Sequence, residues 1–446
     1  MIQAMMGFLV SVLDTVMVSS ISNEAVSAVY ATNQITFFVI VVIGGVVAGS
    51  GVFIQQFYGA KKEHYITETF RYKLLVTFIF STLMVILSII FGDAIVKYYA
   101  RNDSNKDLIF NEAMQYKPLI IASFIPTSFS FALSSSVREV GQARMTLYSS
   151  VTSVVVNIVG NAIFIYGLGL GVKGAAIATF ISRIVELIII IIIAQKYDFY
   201  KFKNVFSSFH IDKELAKDIT KKSIPMLLNE LSWATAMILI SFAYSFRENI
   251  LSSLSIINSI TNIFGFIFSG LGIGISILVG TKLGANEIEE AKKNQRQLLA
   301  IGVAISIIMG IIMIILSPFI PKLFTKVTPE QQSLSSTLIR IYSLFLPAYA
   351  IAYTNFMTLR TGGKTFVAFL IDSGFVWVFA VTLSLIFAKY TSIPAAYIYL
   401  TVQIVDLVKA LVGLPVVLKG YWANNLTTNF KENNDIETIL SKETHP

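Results

Sequence analysis

Five carboxylates fall well inside long apolar runs: Asp14, Glu186, Glu230, Asp372 and Asp406. On insertion scales an acidic side chain at the centre of a spanning helix costs about 2.5–3.5 kcal/mol, so each of them needs a reason. Asp14 stands among Val12, Leu13, Val16 and Met17. It reads either as a structural hydrogen-bond acceptor for Ser11, Thr15 or a neighbouring helix, or as a place where a proton or cation is held. Glu230, beside Asn229 and close to Trp233, and Asp372 are two further intramembrane carboxylates. Glu186 follows Arg183 by three positions and Asp406 precedes Lys409 by three, a spacing that puts each pair on one helix face as a neutralising ion pair. Other chemistry is excluded. The chain has no Cys, and its three His (His64, His210 and His445) are scattered through polar segments. Thiol nucleophiles, thiolate zinc sites and a His-rich metal centre are therefore not expected. No apolar run carries a Ser/Lys dyad, a catalytic Asp pair or a His cluster, so the chain does not read as an intramembrane enzyme.

The elements that must hold these groups are set by composition. Of 446 residues, 55% are hydrophobic and 13% charged, and the mean hydropathy is +0.72. Soluble domains carry about 25% charged residues. A water-soluble enzyme, a nucleic-acid-binding domain and a disordered chain are excluded, and the lipid bilayer is the expected surroundings. Twelve apolar stretches are long enough to cross about 30 Å of hydrocarbon. They run near 3–22, 31–57, 72–95, 115–137, 145–167, 174–195, 223–246, 253–281, 297–321, 336–358, 365–388 and 394–418. The first begins at Met1–Ile2 without a basic leader or a small-residue cleavage site, which reads as a spanning helix lacking a short leader rather than a signal peptide. Lys and Arg favour one set of loops by roughly two to one, which puts both termini in the cytoplasm. The net charge of +8 then reflects inner loops facing anionic lipid.

An internal repeat divides the chain. TNQITFFVIVVIGGVVAGSGVFIQQFYGAKK, from Thr32, aligns at an offset of 225 with INSITNIFGFIFSGLGIGISILVGTKLGANE, from Ile257. Asn33 meets Asn258, Thr36 meets Thr261, Gly45 meets Gly270 and Gly49 meets Gly274. VREVGQAR from Val137 aligns with LRTGGKTF from Leu359, and GAAIATFISRIVE with PAAYIYLTVQIVD, matching Glu186 to Asp406. The expected fold is therefore an all-α polytopic membrane protein of twelve helices in two six-helix pseudo-symmetric lobes. Residues 1–195 would form the N-lobe and 223–418 the C-lobe, joined by a cytoplasmic linker over 196–222 and followed by a cytoplasmic tail over 419–446. Six spans per half make the repeats parallel, an arrangement that usually places a substrate route at their interface. The Lys-rich, aromatic linker reads as an amphipathic surface segment or a solvated connection.

LDTVMVSS at 13–20, QQFYGAKK at 55–62, VREVGQAR at 137–144 and NIVGNAIFIYGLGLGVKGAAIAT at 157–179 resemble the multidrug and toxic compound extrusion (MATE) family. The resemblance extends over essentially the whole chain. It implies a plasma-membrane antiporter that exports cationic, amphipathic small molecules, driven by inward Na⁺ or H⁺. It also implies a coupling site at Asp14, with Asn157 and Asn161 on the fifth span and Thr179 on the sixth. Asn157 and Asn161 are four apart and share a helix face. Amide, hydroxyl and carboxylate oxygens make a hard-ligand set suited to Na⁺; amides that only bridge helices are the alternative. Relatives often carry Asp where this chain has Asn161, so Na⁺ and H⁺ both stay open as the coupling ion.

Some members use C-lobe carboxylates, which would assign Glu230 and Asp372. Gln34, Phe37, Trp233 and Met237, with Met5, Met6, Phe38, Phe264 and Phe268, are candidates for an adaptable lining, although lipid-facing or core packing is the commoner role for any one of them. Beyond the coupling ion no cofactor is expected, nucleic acid is not a partner, and the protein is expected to act as a monomer. A lipid-linked saccharide flippase of the same superfamily is the competing function. It would need a strongly cationic cavity, and Arg183 and Lys409 are the only cations deep inside spans.

Overall fold

The computed structural model describes residue 14 and residues 16–101, 105–196, 205, 210–247, 250–323 and 328–430. Within these residues the chain is helical, and eleven helices are long and apolar enough to cross a membrane. The expected first span is described only at Asp14 and 16–22, where Asp14 and residues 16–19 are helical.

In the first half, α1 (Asn23–Gly59), α2 (Glu63–Ala100), α3 (Lys106–Glu139), α4 (Ala143–Asn161) and α5 (Gly171–Lys196) follow in order. In the second come α6 (Lys213–Tyr244), α7 (Ile250–Gly284), α8 (Ile288–Leu316) and α9 (Pro329–Thr361). After them α10 (Thr365–Phe369) runs through π-helical turns into α11 (Thr382–Tyr390), and α12 (Ala395–Leu418) closes the series. Three of the helices, α1, α6 and α9, start at a side-chain cap. The Ser22 hydroxyl accepts from Ala25 N–H at 3.0 Å, and Asp212 accepts from Leu215 N–H at 2.8 Å. Thr328 and Gln331 form a capping box with Pro329 in the first turn. The Asp212 cap begins α6 ten residues ahead of the expected span, so 213–222 are helical where a linker was expected. Along the spans the large apolar side chains that face outward, such as Ile89, Ile90, Ile308 and Ile315, are more than half exposed. Water would not tolerate this, but lipid requires it.

The repeat reappears in the backbone. After α1, Lys62 N–H reaches back to Phe57 O at 3.0 Å; after α7, Glu287 N–H reaches Lys282 O at 2.9 Å. Lys61 (φ 58°) and Asn286 (φ 62°), at the same offset of 225, are left-handed in these turns. After α3 and α9, Gln142 N–H bonds to Val137 O and Lys364 N–H to Leu359 O, around Gly141 (φ 79°) and Gly363 (φ 74°). These are matched Schellman-type helix ends, which explains glycine at the second pair.

The chain divides into two compact units. The first comprises Met1–Ile54 and Glu63–Ser223, the second Gln55–Lys62 and Ile224–Pro446. Inside the first, Lys73 lies 2.9 Å from both Glu139 oxygens and 2.9 Å from Ser136 Oγ, with all three side chains buried. Gly51 makes room for them, since a Cβ there would sit 2.4 Å from Glu139 Oε1. At the equivalent positions the second unit has Ser276, Leu298, Thr358 and Thr361, and a hydroxyl contact between Ser276 and Thr361 at 3.4 Å replaces the ion pair.

Inside the second unit, Gly59 and Gly284 let two helix ends touch. A Cβ would lie 1.9 Å from Thr281 O at Gly59 and 1.8 Å from Gln56 O at Gly284. The chain after α12 packs against the same place. Trp422 is buried, Gln56 Oε1 accepts from Leu426 N–H at 2.6 Å, and Lys62 donates to Thr427 O at 3.0 Å. Residues 419–430 of the expected tail are thus a packed segment of this unit, and 431–446 lie outside the described residues.

Candidate functional site

In the first unit the residues expected around Asp14 form one hydrogen-bonded chain. Asn161 is fully buried, and its Nδ2 donates to Asp14 Oδ1 and, at 3.4 Å, to Asn157 Oδ1. Asn157 Nδ2 in turn donates to Thr179 Oγ1 at 3.3 Å. Buried Tyr116, from α3, lies near Thr179 and in the field of Asp14. Local sequence makes this approach possible. A Cβ at Gly160 would meet Ala178 Cβ at 3.0 Å, and one at Gly174 would meet Phe164 O at 2.8 Å, so α4 and α5 pack backbone to backbone.

Asn161 is the last α-helical residue before a π-helical segment, Ala162–Gly167. At its end Tyr166 bonds to Met17 O at 3.4 Å and accepts from Ser20 Oγ at 3.1 Å, tying the first span to the same turn. Such π turns are frequent at functional sites. Among the described residues, Asn161 Oδ1 is buried without a hydrogen-bond partner. The oxygens gathered here are a carboxylate, two amides, a hydroxyl and a phenol, which fit a hard monovalent cation or a proton. Among the described residues no group of three His, Cys, Asp or Glu is close enough to hold a metal ion.

Asp14 has no ion-pair partner among the described residues. Arg183, one turn beyond Thr179 on α5, acts on Asp14 through space, but its Nη1 is 2.9 Å from Glu186 Oε2. That is the pair expected from spacing.

In the second unit every intramembrane carboxylate is paired. Glu230 Oε1 is 3.1 Å from Arg360 Nη1. Asp372 lies in a π-helical segment, Leu370–Gly374, and Lys409 Nζ sits 3.0 Å from Asp372 Oδ1 and 2.8 Å from Asp406 Oδ1. Asn229 Nδ2 donates to Asp372 Oδ2 at 3.2 Å, and its own carbonyl accepts from Ser373 Oγ at 2.7 Å.

The MatE family model matches twice, over residues 1–163 and again over 225–388. The chain belongs to the MatE family. The two matched stretches end 225 positions apart, the offset of the internal alignment. Among curated MatE relatives, the probable multidrug resistance protein YoeA of Bacillus subtilis is 24% identical over 384 residues, covering 83% of this chain and 80% of its own. The multidrug export protein MepA of Staphylococcus haemolyticus is 23% identical over 392 residues, covering 84% and 82%. A solved outward-facing multidrug resistance MATE transporter of the MOP superfamily superposes with a TM-score of 0.83 at 21% identity, over 95% of this chain and 94% of that one. This likeness shows the fold, the all-α two-lobe membrane architecture. As a MatE chain the protein is a multi-pass membrane protein of a multidrug efflux transporter family.

Placed on the MatE fold, the lining candidates separate. Phe37, Phe38 and Trp233 are 50%, 47% and 40% exposed, and Gln34 is half-buried. Met237 packs against the apolar core of the second unit, and Phe264 and Phe268 are part of that core, beside Tyr342 and Tyr349. Met5 and Met6 lie outside the described residues. Tyr116, and the Arg360–Glu230 and Lys409–Asp372 pairs, were not legible in sequence. Their partners come from different helices, 130 and 37 positions apart for the two pairs, and no spacing rule connects them.

Proposed function

We propose that this chain is a cation-coupled antiporter that exports cationic, amphipathic small molecules across the cell membrane by alternating access, with both termini in the cytoplasm. Na⁺ or H⁺ exchanges at Asp14. The observation that carries this reading is the contrast between the units. Glu230, Asp372 and Asp406 each face a lysine or arginine, whereas Asp14 faces an amide. A carboxylate in hydrocarbon must be neutralised, so Asp14 needs a proton or a cation from outside the chain. Asn161 Oδ1, Asn157, Thr179 and Tyr116 surround it with neutral oxygens that complete a small ion's shell.

Each gain or loss of that ion changes the charge balance of the first unit, which biases whichever arrangement of the helices binds it better. The π turn after Asn161 gives α4 a place to change register. Rigid-body rocking is the motion available to parallel repeats. The multidrug resistance and export names of the relatives support the substrate class. A flippase for pyrophosphate-linked lipids would need unpaired cations, and both Arg183 and Lys409 are neutralised by carboxylates of their own chain. The test is transport of a fluorescent organic cation by the protein in proteoliposomes under separately imposed Na⁺ and H⁺ gradients. One of the two gradients should drive it, and transport driven by neither would refute antiport.

A further inference from the structure

The side chain of Lys409 is 9% exposed and threads between two carboxylates on different helices, Asp372 at 3.0 Å and Asp406 at 2.8 Å. Asp372 Oδ2 takes an amide hydrogen from Asn229, whose orientation is fixed in turn by Ser373. One turn on from Lys409, Gly413 admits the side chain of Asn355, which is 1% exposed and has no hydrogen-bond partner for either amide atom among the described residues. Take away the ammonium group and what is left is two carboxylates in an apolar surround, one of them holding an amide hydrogen as Asp14 does. An ammonium group and a small monovalent cation satisfy such a set interchangeably in charge, but only the mobile one can leave.

We propose that Lys409 is a tethered counter-cation. Its ammonium group holds the cation position of the second unit permanently, which confines ion exchange to the Asp14 site of the first. The second half of this statement rests on the Asp14 reading above; the first half does not. The ion pair also explains why Asp406 and Glu186, equivalent by the repeat, carry their basic partners on opposite sides. Lys409 is displaced along α12 to the level where it can reach Asp372 as well, whereas Arg183 serves Glu186 alone as a direct partner.

The test uses the full chain, purified and carrying Asp14→Asn, so that the first unit does not contribute. Equilibrium binding of ²²Na⁺ is measured at constant ionic strength in potassium chloride, with thermal unfolding in parallel. Asp14→Asn alone should show no saturable Na⁺ binding. Adding Lys409→Ala, or Lys409→Met to keep the apolar stem, should create saturable binding and a Na⁺-dependent rise in melting temperature, and adding Asp372→Asn should abolish both. Lys409→Arg in the same background should remain silent, and methylammonium should raise the melting temperature of the Lys409→Ala chain but not of its parent. A folded Lys409→Ala or Lys409→Met chain that binds no Na⁺ would overturn the proposal. So would Na⁺ binding by the Asp14→Asn parent that disappears on Asp372→Asn, a result that decides the matter even if the lysine variants fail to fold. Loss of Na⁺ binding between wild type and Asp14→Asn, or its absence, bears on the Asp14 reading alone.

Discussion

The side-chain amide of Asn161 donates to the carboxylate of Asp14 across 147 positions of sequence, and its own carbonyl oxygen is buried without a partner among the described residues. The amide thus steadies the ionised carboxylate without adding a charge, and offers an oxygen to whatever neutralises it. An aspartate at 161 would instead place two negative charges side by side. Asn161→Asp is therefore expected to raise the apparent Na⁺ affinity of transport at least severalfold, because like charges in one site demand a cation. Asn161→Ala should weaken coupling without abolishing it. Initial rates in proteoliposomes against Na⁺ concentration measure both. An Asn161→Asp protein with an unchanged Na⁺ dependence would remove Asn161 from the ion's surroundings.

The Lys73–Glu139 pair gives a stability prediction. Lys73→Met leaves Glu139 buried and unpaired, a change that costs about 3–5 kcal/mol. Lys73→Met with Glu139→Gln removes both charges and should cost clearly less. Melting temperatures of the detergent-solubilised protein compare the two, and a double variant as damaged as the single one would contradict the argument.

Close backbone contact at Gly59 and Gly284 makes a second such test. The Cβ of Gly59→Ala would fall 1.9 Å from Thr281 O, and that of Gly284→Ala 1.8 Å from Gln56 O, so either substitution forces two helix ends apart. Gly44→Ala meets nothing within 4 Å and serves as the control. Both contact variants should lose folded yield and melt lower than the control, and equal stability of all three would show that the close approach carries no weight.

How much of this was legible follows from the range of each interaction. Spans, repeat and turns depend on residues near one another: the left-handed Lys61 and Asn286, and Gly141 and Gly363, lie in the aligned segments, and the Arg183–Glu186 and Asp406–Lys409 pairs follow from spacing on one helix. The Asp14, Asn157, Asn161 and Thr179 cluster came from family resemblance, because a spanning helix carries no local sign of which neighbour it faces. Lys409 bridging to Asp372, Arg360 to Glu230, and the place of Tyr116 near Thr179 were illegible for the same reason. The π turns at Ala162–Gly167 and Leu370–Gly374 left no mark in hydropathy, since they alter register without altering composition.

The orientation rests on charge bias and can be measured directly in this Cys-free chain. Lys217, in the first turns of α6, and Lys173, at the start of α5, are both exposed. With both termini cytoplasmic, Lys173→Cys should react with an impermeant maleimide in intact cells and Lys217→Cys only after the membrane is opened. The reverse pattern would invert the protein.

The central claim is that Asp14 is the carboxylate through which the ion gradient acts. Gradient-driven efflux of a fluorescent organic cation should be compared in proteoliposomes for wild type, Asp14→Asn and Glu230→Gln, each matched for inserted protein. Asp14→Asn keeps the size and hydrogen bonding of the side chain while removing its charge, and is expected to abolish gradient-driven efflux. Glu230→Gln, which loses only its pairing with Arg360, should retain a substantial part. Full efflux by well-inserted Asp14→Asn protein, or a larger defect in Glu230→Gln, would contradict the account.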